Sequence, residues 1–195
     1  MAVVTDINEL SFSGLYTYKD YLSWRFKERV ELIKGRLFKM TPAPSSFHQS
    51  ISIALSSQLW FHFKETECKV FEAPFDVRLD PAKEDKIYTV VQPDLCIICD
   101  KDKIDERGCN GAPDLIVEII SPGNSSKEMR EKFEIYEESG VREYWLINPL
   151  DKNVIVYSLN DENAFIAKKP FIESDQLRSE IFVDLTIDLS TLFKA

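Results

Sequence analysis

Leu115-Ile-Val-Glu-Ile-Ile120 is an apolar, β-branched run interrupted by a single acid. The composition predicts a buried β-strand from Asp114 to Ile120. A carboxylate in such a strand costs free energy unless something compensates it, and a metal ion is one compensator. Glu118 therefore marks a strand and a candidate site at once. A second acid, Asp94, follows Pro93 in Val90-Val-Gln-Pro-Asp94, and Val91 to Cys99 reads as another strand.

The pattern extends in both directions from these two strands. Tyr16 to Trp24 reads as a short helix capped by Thr17. Val30-Glu-Leu-Ile33 and Arg36-Leu-Phe-Lys-Met40 flank Lys34-Gly35, a hairpin signal. Thr41-Pro-Ala-Pro-Ser-Ser46 breaks the pattern, and Ser45 or Ser46 caps a helix to about Lys64. Ile51, Leu55, Leu59 and His62 form its apolar stripe. Lys69 to Leu79 reads as a strand interrupted by Pro74, with charged loops over 80–89 and 100–112. Asn124 or Ser125 caps a second helix that runs to Ser139 and stops at Gly140. Val141 to Asn148 is a strand, and Asn153 to Leu159 with Ala164 to Phe171 suggests a meander. This order predicts an α/β (α+β) fold, a mixed central β-sheet flanked by helices. A length of 195 residues fits a single domain over 1–195, its core at about 46–149.

Hydrophobic content of 44% and charged content of 29% are ordinary for a globular chain. No stretch is long or apolar enough to span a membrane, and Met1-Ala-Val-Val-Thr-Asp-Ile lacks the pattern of a secretory signal. A cytoplasmic location follows as the expectation. The four cysteines, Cys68, Cys96, Cys99 and Cys109, are then expected as reduced thiols. Cys96 and Cys99 form a Cys-x-x-Cys, but residues three apart on a strand point to opposite faces, which favours core residues over a zinc pair. The net charge of −9 works against contact with phosphates. Residues 1–47 nevertheless carry seven basic side chains against five acidic ones, so the N-terminal segment would contribute to any DNA contact.

Asp114 shares a strand face with Glu118, but four strand residues span ~13 Å, too far to hold one cation together. Asp94 is the better partner if its strand neighbours that of Glu118. Asp94 and Glu118 are therefore the expected metal ligands, with the Ile119 backbone carbonyl as a third and Mg²⁺ or Mn²⁺ as the ion. Ile120, two beyond Glu118, can neither position a water nor stabilise charge. Lys132 is the candidate substitute, because Met129, Lys132, Phe133 and Tyr136 cluster on one helix face. The bland alternative is a lysine whose stem covers apolar surface. Glu31 is either a further ligand or an exposed strand carboxylate. His48 is either catalytic or a surface residue of the first helical turn.

These segments together resemble the Uma-type family, catalogued as putative restriction endonucleases of the PD-(D/E)XK nuclease superfamily. The resemblance rests on Val90-Val-Gln-Pro-Asp-Leu-Cys-Ile-Ile-Cys-Asp100, Gly111-Ala-Pro-Asp-Leu-Ile-Val-Glu-Ile-Ile-Ser-Pro122 and Lys132-x3-Tyr136-x3-Gly140-Val-Arg-Glu-Tyr-Trp-Leu-Ile-Asn-Pro149. Met40-Thr-Pro-Ala-Pro-Ser-Ser-Phe-His-Gln49 also matches, and the likeness covers about Tyr16 to Phe193. It implies a restriction-endonuclease-like core with an N-terminal helix and hairpin and C-terminal meander additions. It implies Asp94 and Glu118 as metal ligands and Lys132 as a migrated catalytic lysine, and Glu31 and His48 match recurring family positions as further catalytic candidates. The implied reaction is Mg²⁺-dependent hydrolysis of DNA, with a homodimer suited to cutting two strands. Alanine at Asp94, Glu118 or Lys132 is expected to abolish cleavage in a folded protein. Ile120 departs from the superfamily lysine, and Glu128 stands where the family often has aspartate. A non-catalytic nucleic-acid-binding or assembly protein on the same fold is the competing reading, favoured by the acidic charge. A hydrolase of another phosphate ester is a third.

Overall fold

The computed structural model describes residues 3–40, 45–80, 82–121 and 126–194. A capping box opens α1 (Tyr18–Tyr21): Thr17 accepts from the Asp20 amide, and Asp20 accepts from the Thr17 amide. β1 (Val30–Ile33) and β2 (Arg36–Lys39) form the expected hairpin. Lys34 and Gly35 turn it with φ of 50° and 79°, the left-handed values a two-residue turn demands. α2 (Ser46–Phe63) is capped by Ser45, which accepts from the His48 amide. Its buried stripe is Ile51, Leu55, Leu59 and Phe63, so the last position belongs to Phe63, four beyond Leu59, and not to His62.

β3 (Lys69–Glu72) and β4 (Val77–Arg78) are separated by a cis Ala73–Pro74 bond. β5 (Val90–Val91) and β6 (Leu95–Ile98) divide the strand expected over Val91 to Cys99, since Pro93 has no N–H for a ladder. The expected loop over 100–112 contains a hairpin, β7 (Ile104–Asp105) and β8 (Gly108–Asn110). Strands this short leave too few residues for an alternation to be read. β9 (Leu115–Ile119) is followed by α3 (Ser126–Glu138), which ends before Gly140 at φ 81°. The caps expected at Asn124 or Ser125 lie outside the described residues. The rest is β10 (Glu143–Asn148), β11 (Asn153–Leu159), β12 (Phe165–Ala167), β13 (Phe171–Ile172), β14 (Gln176–Arg178), β15 (Thr186–Asp188) and α4 (Leu189–Leu192).

The main sheet runs β12-β11-β10-β9-β6-β3, with β13 also on β11. It is mixed: β9 and β10 are parallel, whereas β6 and β9 are antiparallel. A second sheet runs β2-β1-β5-β4-β8-β7. On one face of the main sheet, Leu95, Ile97, Leu115 and Val117 pack against the buried stripe of α2. On the other, Cys96, Ile98 and Ile116 pack with Ile135 and Tyr136 of α3 and with Val77 and Val91 of the second sheet. Period-two alternation along β6 and β9 thus sends one set of side chains to each helix. No described helix is long and apolar enough to cross a membrane.

The cysteines depart from the expectation of reduced thiols. Cys68 and Cys99 lie one step beyond the Lys69–Ile98 pair of β3 and β6, and they form a disulfide. Their separation of 31 residues hides a pairing that only the strand register reveals. Cys96 and Cys109 are free and buried.

Gly108 joins the hairpin β7–β8 to the loop before β4. Its φ is 120°, and a Cβ there would lie 2.1 Å from the Asp76 carbonyl oxygen, which already accepts from the Cys109 amide at 2.8 Å. Gly108→Ala is expected to lower stability by more than ~1 kcal/mol, seen as a lower urea midpoint at unchanged m-value. An unchanged midpoint would mean that this backbone approach relaxes freely.

Candidate active site

The pairing of β6 with β9 brings the two acids together. Leu95 lies opposite Val117 and Cys96 opposite Ile116, so one step further along Asp94 falls opposite Glu118. Asp94 itself occupies the bend before β6, not the strand predicted for it. There its Oδ2 accepts from the Ile119 amide at 2.7 Å, and its Oδ1 lies 3.3 Å from Nε2 of His48. His48 is buried in the first turn of α2, not exposed. Burial disfavours its imidazolium, but Asp94, the Ile119 backbone and Glu118 outweigh burial and raise its pKa above the usual histidine value.

Glu118 leaves β9 toward α3. Its Oε1 accepts from Lys132 Nζ at 2.9 Å and from the Tyr136 hydroxyl at 2.6 Å. Those two donors are one helical turn apart on the buried side of α3. Lys132 Nζ also lies 3.0 Å from Oε1 of Glu31, which in turn accepts from the Gln92 amide at 2.8 Å. Lys132 is only 6% exposed and Glu31 only 1%. The lysine is therefore an interior cation between two carboxylates, not a stem laid over apolar surface. Glu31 is likewise no exposed strand residue.

Charge is crowded here. Burial pushes the Glu118 carboxyl up to about 7; Lys132 opposes the shift, and the neighbouring Asp94 and Glu31 add to it. Burial also works against the Lys132 ammonium, but Glu118 and Glu31 outweigh it and hold the proton well above the ordinary lysine range. Glu31 and Glu118 flank the one ammonium, and Asp94 meets His48, so the carboxylates are held close together. A small recess of about 20 Å³ opens beside Glu118 and Lys132, lined also by Ile119, Ile120, Met129 and Leu146 among others. Ile120 gives it an apolar wall where a lysine would have added charge.

The donor set fits a hard divalent cation, since Asp94 and Glu118 offer carboxylate oxygens from neighbouring positions. Among the described residues no three His, Cys, Asp or Glu side chains converge as a complete cage. Backbone, water or substrate oxygens would have to complete the coordination, as is usual for Mg²⁺. Asp114 is engaged elsewhere, accepting from the Cys99 amide and from Arg142. Two participants escaped the sequence reading. Tyr136 was visible only as a member of an apolar stripe, although its spacing of four from Lys132 placed it within reach of the same carboxylate. Gln92 acts through its backbone amide, which no side-chain pattern signals. Its side chain also bridges Arg29 and Asp76.

Comparison with known proteins bears on the fold and the family. A solved structure of a putative nuclease belonging to DUF820 from Anabaena variabilis superposes with a TM-score of 0.71 at 19% identity, over 91% of this chain and 97% of that one. An uncharacterized protein of Synechocystis sp., slr1290, is 24% identical over 151 residues, 76% of either chain. The Uma2 family, described as "Putative restriction endonuclease", matches residues 18–190. That span holds the two large sheets, α2, α3 and all five candidate site residues, and the chain belongs to the Uma2 family.

Proposed function

We propose that this protein is a metal-dependent endonuclease that hydrolyses DNA phosphodiester bonds. The observation that supports this reading best is the meeting of Asp94 and Glu118 across β6 and β9 beside Lys132, whose Nζ is 2.9 Å from Glu118. Asp94, Glu118 and the Ile119 carbonyl would hold Mg²⁺ or Mn²⁺, which polarises a phosphoryl oxygen and lowers the pKa of a water. His48 orients the Asp94 carboxylate. Tyr136 orients that of Glu118 through its hydrogen bond to Oε1. Lys132, kept charged by Glu31 and Glu118, stabilises the negative charge that develops on the phosphoryl group. The surplus of basic residues within 1–47 supplies backbone contacts that the acidic remainder cannot.

The test is a supercoiled-plasmid assay with Mg²⁺, Mn²⁺ or chelator. Metal-dependent nicking is expected, falling to background in Asp94→Asn and Glu118→Gln proteins that keep the wild-type circular dichroism. Full activity in either variant removes that residue from the mechanism. Salt-sensitive DNA binding without cleavage under both metals would favour a non-catalytic nucleic-acid-binding protein, the reading to which the −9 charge lends weight.

A further inference from the structure

The hairpin strand that buries Glu31 also carries a cation at the rim of the site. The Met40 amide donates to the Arg29 carbonyl at 3.0 Å, so the ladder of β1 on β2 extends back to Arg29. Residues two apart on a strand share a face, which puts Arg29 on the face of Glu31, ~7 Å along the chain. Glu31 is buried and Arg29 exposed. Gln92 joins the two. Its backbone amide donates to Glu31, and its Oε1 accepts from Nε and one terminal nitrogen of Arg29 at 3.1 and 2.7 Å. Gln92 Nε2 donates to Asp76 at 2.8 Å and to the Tyr21 hydroxyl at 3.3 Å, which fixes Oε1 toward Arg29. The same Gln92 stands two residues before Asp94. The guanidinium is thus held in one place, beside the candidate metal ligands, by a neutral acceptor.

We infer that Arg29 is a phosphate-binding residue of this site, gripping a backbone phosphate of the DNA strand next to the one that is cut. Charge is the first argument. Lys132 is buried and shared by two carboxylates, and it is the only basic residue lining the recess among the described residues. A strand entering a carboxylate-lined site therefore needs a cation at the rim. Lys34 pairs with Glu138 and Lys39 with Glu28, whereas Arg29 forms no ion pair among the described residues. Asp76 is kept from it by the Gln92 amide that bridges them. Geometry is the second argument. Only two of the five guanidinium N–H groups are spent on Gln92, so the edge between the two terminal nitrogens keeps a donor on each. That edge matches two phosphate oxygens, and its orientation is set before the strand arrives. The inference rests on the nuclease reading, and it narrows the part of the basic N-terminal segment to one side chain.

Two measurements test it: binding of a labelled DNA duplex in chelator across a salt series, and plasmid nicking with Mg²⁺ or Mn²⁺. Arg29→Ala is expected to weaken binding about tenfold and to lower the slope of log affinity against log salt by about 0.9, the share of one phosphate. Its KM for nicking is expected to rise by a similar factor while kcat stays within about threefold, since the contact is made before and during the reaction. Arg29→Lys keeps the charge and loses the paired donors, so the slope is expected to return and the affinity only in part. Arg36, exposed at the turn of the same hairpin, is the control. If Arg36→Ala matches Arg29→Ala, the attraction is diffuse and the proposal is overturned. A wild-type slope and KM in Arg29→Ala, in a protein that cleaves, overturn it as well. A wild type that binds without cutting sinks the nuclease reading, while the slope of Arg29→Ala still decides the phosphate contact. A wild type that neither binds nor cuts DNA sinks both.

Discussion

Lys132→Ala is expected to lower the melting temperature by roughly 6–20 °C and to remove DNA cleavage. The substitution was expected from sequence to leave a folded, inactive protein; its surroundings argue for a larger effect. Lys132 is the only ammonium between Glu31 and Glu118, both within 3.0 Å, among the described residues. Removing one partner of a buried ion pair costs about 3–5 kcal/mol, because the remaining charge stays desolvated. Here two carboxylates are stranded, with Asp94 repelling one of them. Both can escape only by taking up protons, so the loss shrinks as the solution is acidified. Adding Glu31→Gln to the alanine variant removes one stranded charge and is expected to recover part of the lost stability. Thermal melts of the four proteins measure that coupling. If Lys132→Ala melts with the wild type, the lysine carries no structural charge balance. Cleavage must be assayed well below the variant's transition, so that lost chemistry is not confused with lost fold.

The legible and illegible parts of this protein divide along physical lines. The hairpin, α2, β9 and α3 follow from signals that act within a few residues: turn glycines, caps and helical spacing. Each appears within a residue or two of its expected place. The partnership of Asp94 with Glu118 needed one assumption, that two strands are neighbours, and the register of β6 on β9 satisfies it. What escaped depends on long-range register. The Cys68–Cys99 disulfide exists because β3 lies on β6, and the burial of Glu31 exists because the β1–β2 hairpin reaches α3. The two-residue strands carry too little sequence to announce themselves. A buried strand acid does not by itself signal a metal. Glu143 sits in β10 at 0% exposure and is compensated by four neutral donors. Pattern alone does not separate it from Glu118; the number of neutral donors around each carboxylate does.

Glu143→Ala is expected to cost about 3 kcal/mol, a fall of roughly 6–12 °C in melting temperature, with no direct part in cleavage. The carboxylate gathers four donors: Trp145 Nε1 at 2.5 Å, Ser179 Oγ at 3.0 Å, and the amides of Glu180 at 2.8 Å and Ile181 at 3.0 Å. It thereby ties the segment after β14 to the central sheet. Alanine leaves the indole N–H and the Ser179 hydroxyl buried with nothing to donate to. Glu143→Gln keeps an acceptor but turns an N–H₂ toward donors, so a smaller loss is expected. The pH dependence distinguishes burial from hydrogen bonding. Burial pushes the Glu143 carboxyl above its ordinary value of 4.5, against the opposing pull of its donors. Between those two pKa values the folded state holds more protons than the unfolded state. The contribution of Glu143 is therefore full below about 4.5 and is lost as pH rises through the folded pKa. Glutamine does not titrate, so the stability gap between wild type and Glu143→Gln is expected to narrow from acid to neutral pH. Urea melts of both proteins on either side of that range measure the gap. A gap that widens instead would mean the four donors outweigh burial and hold the carboxylate ionised in the folded protein.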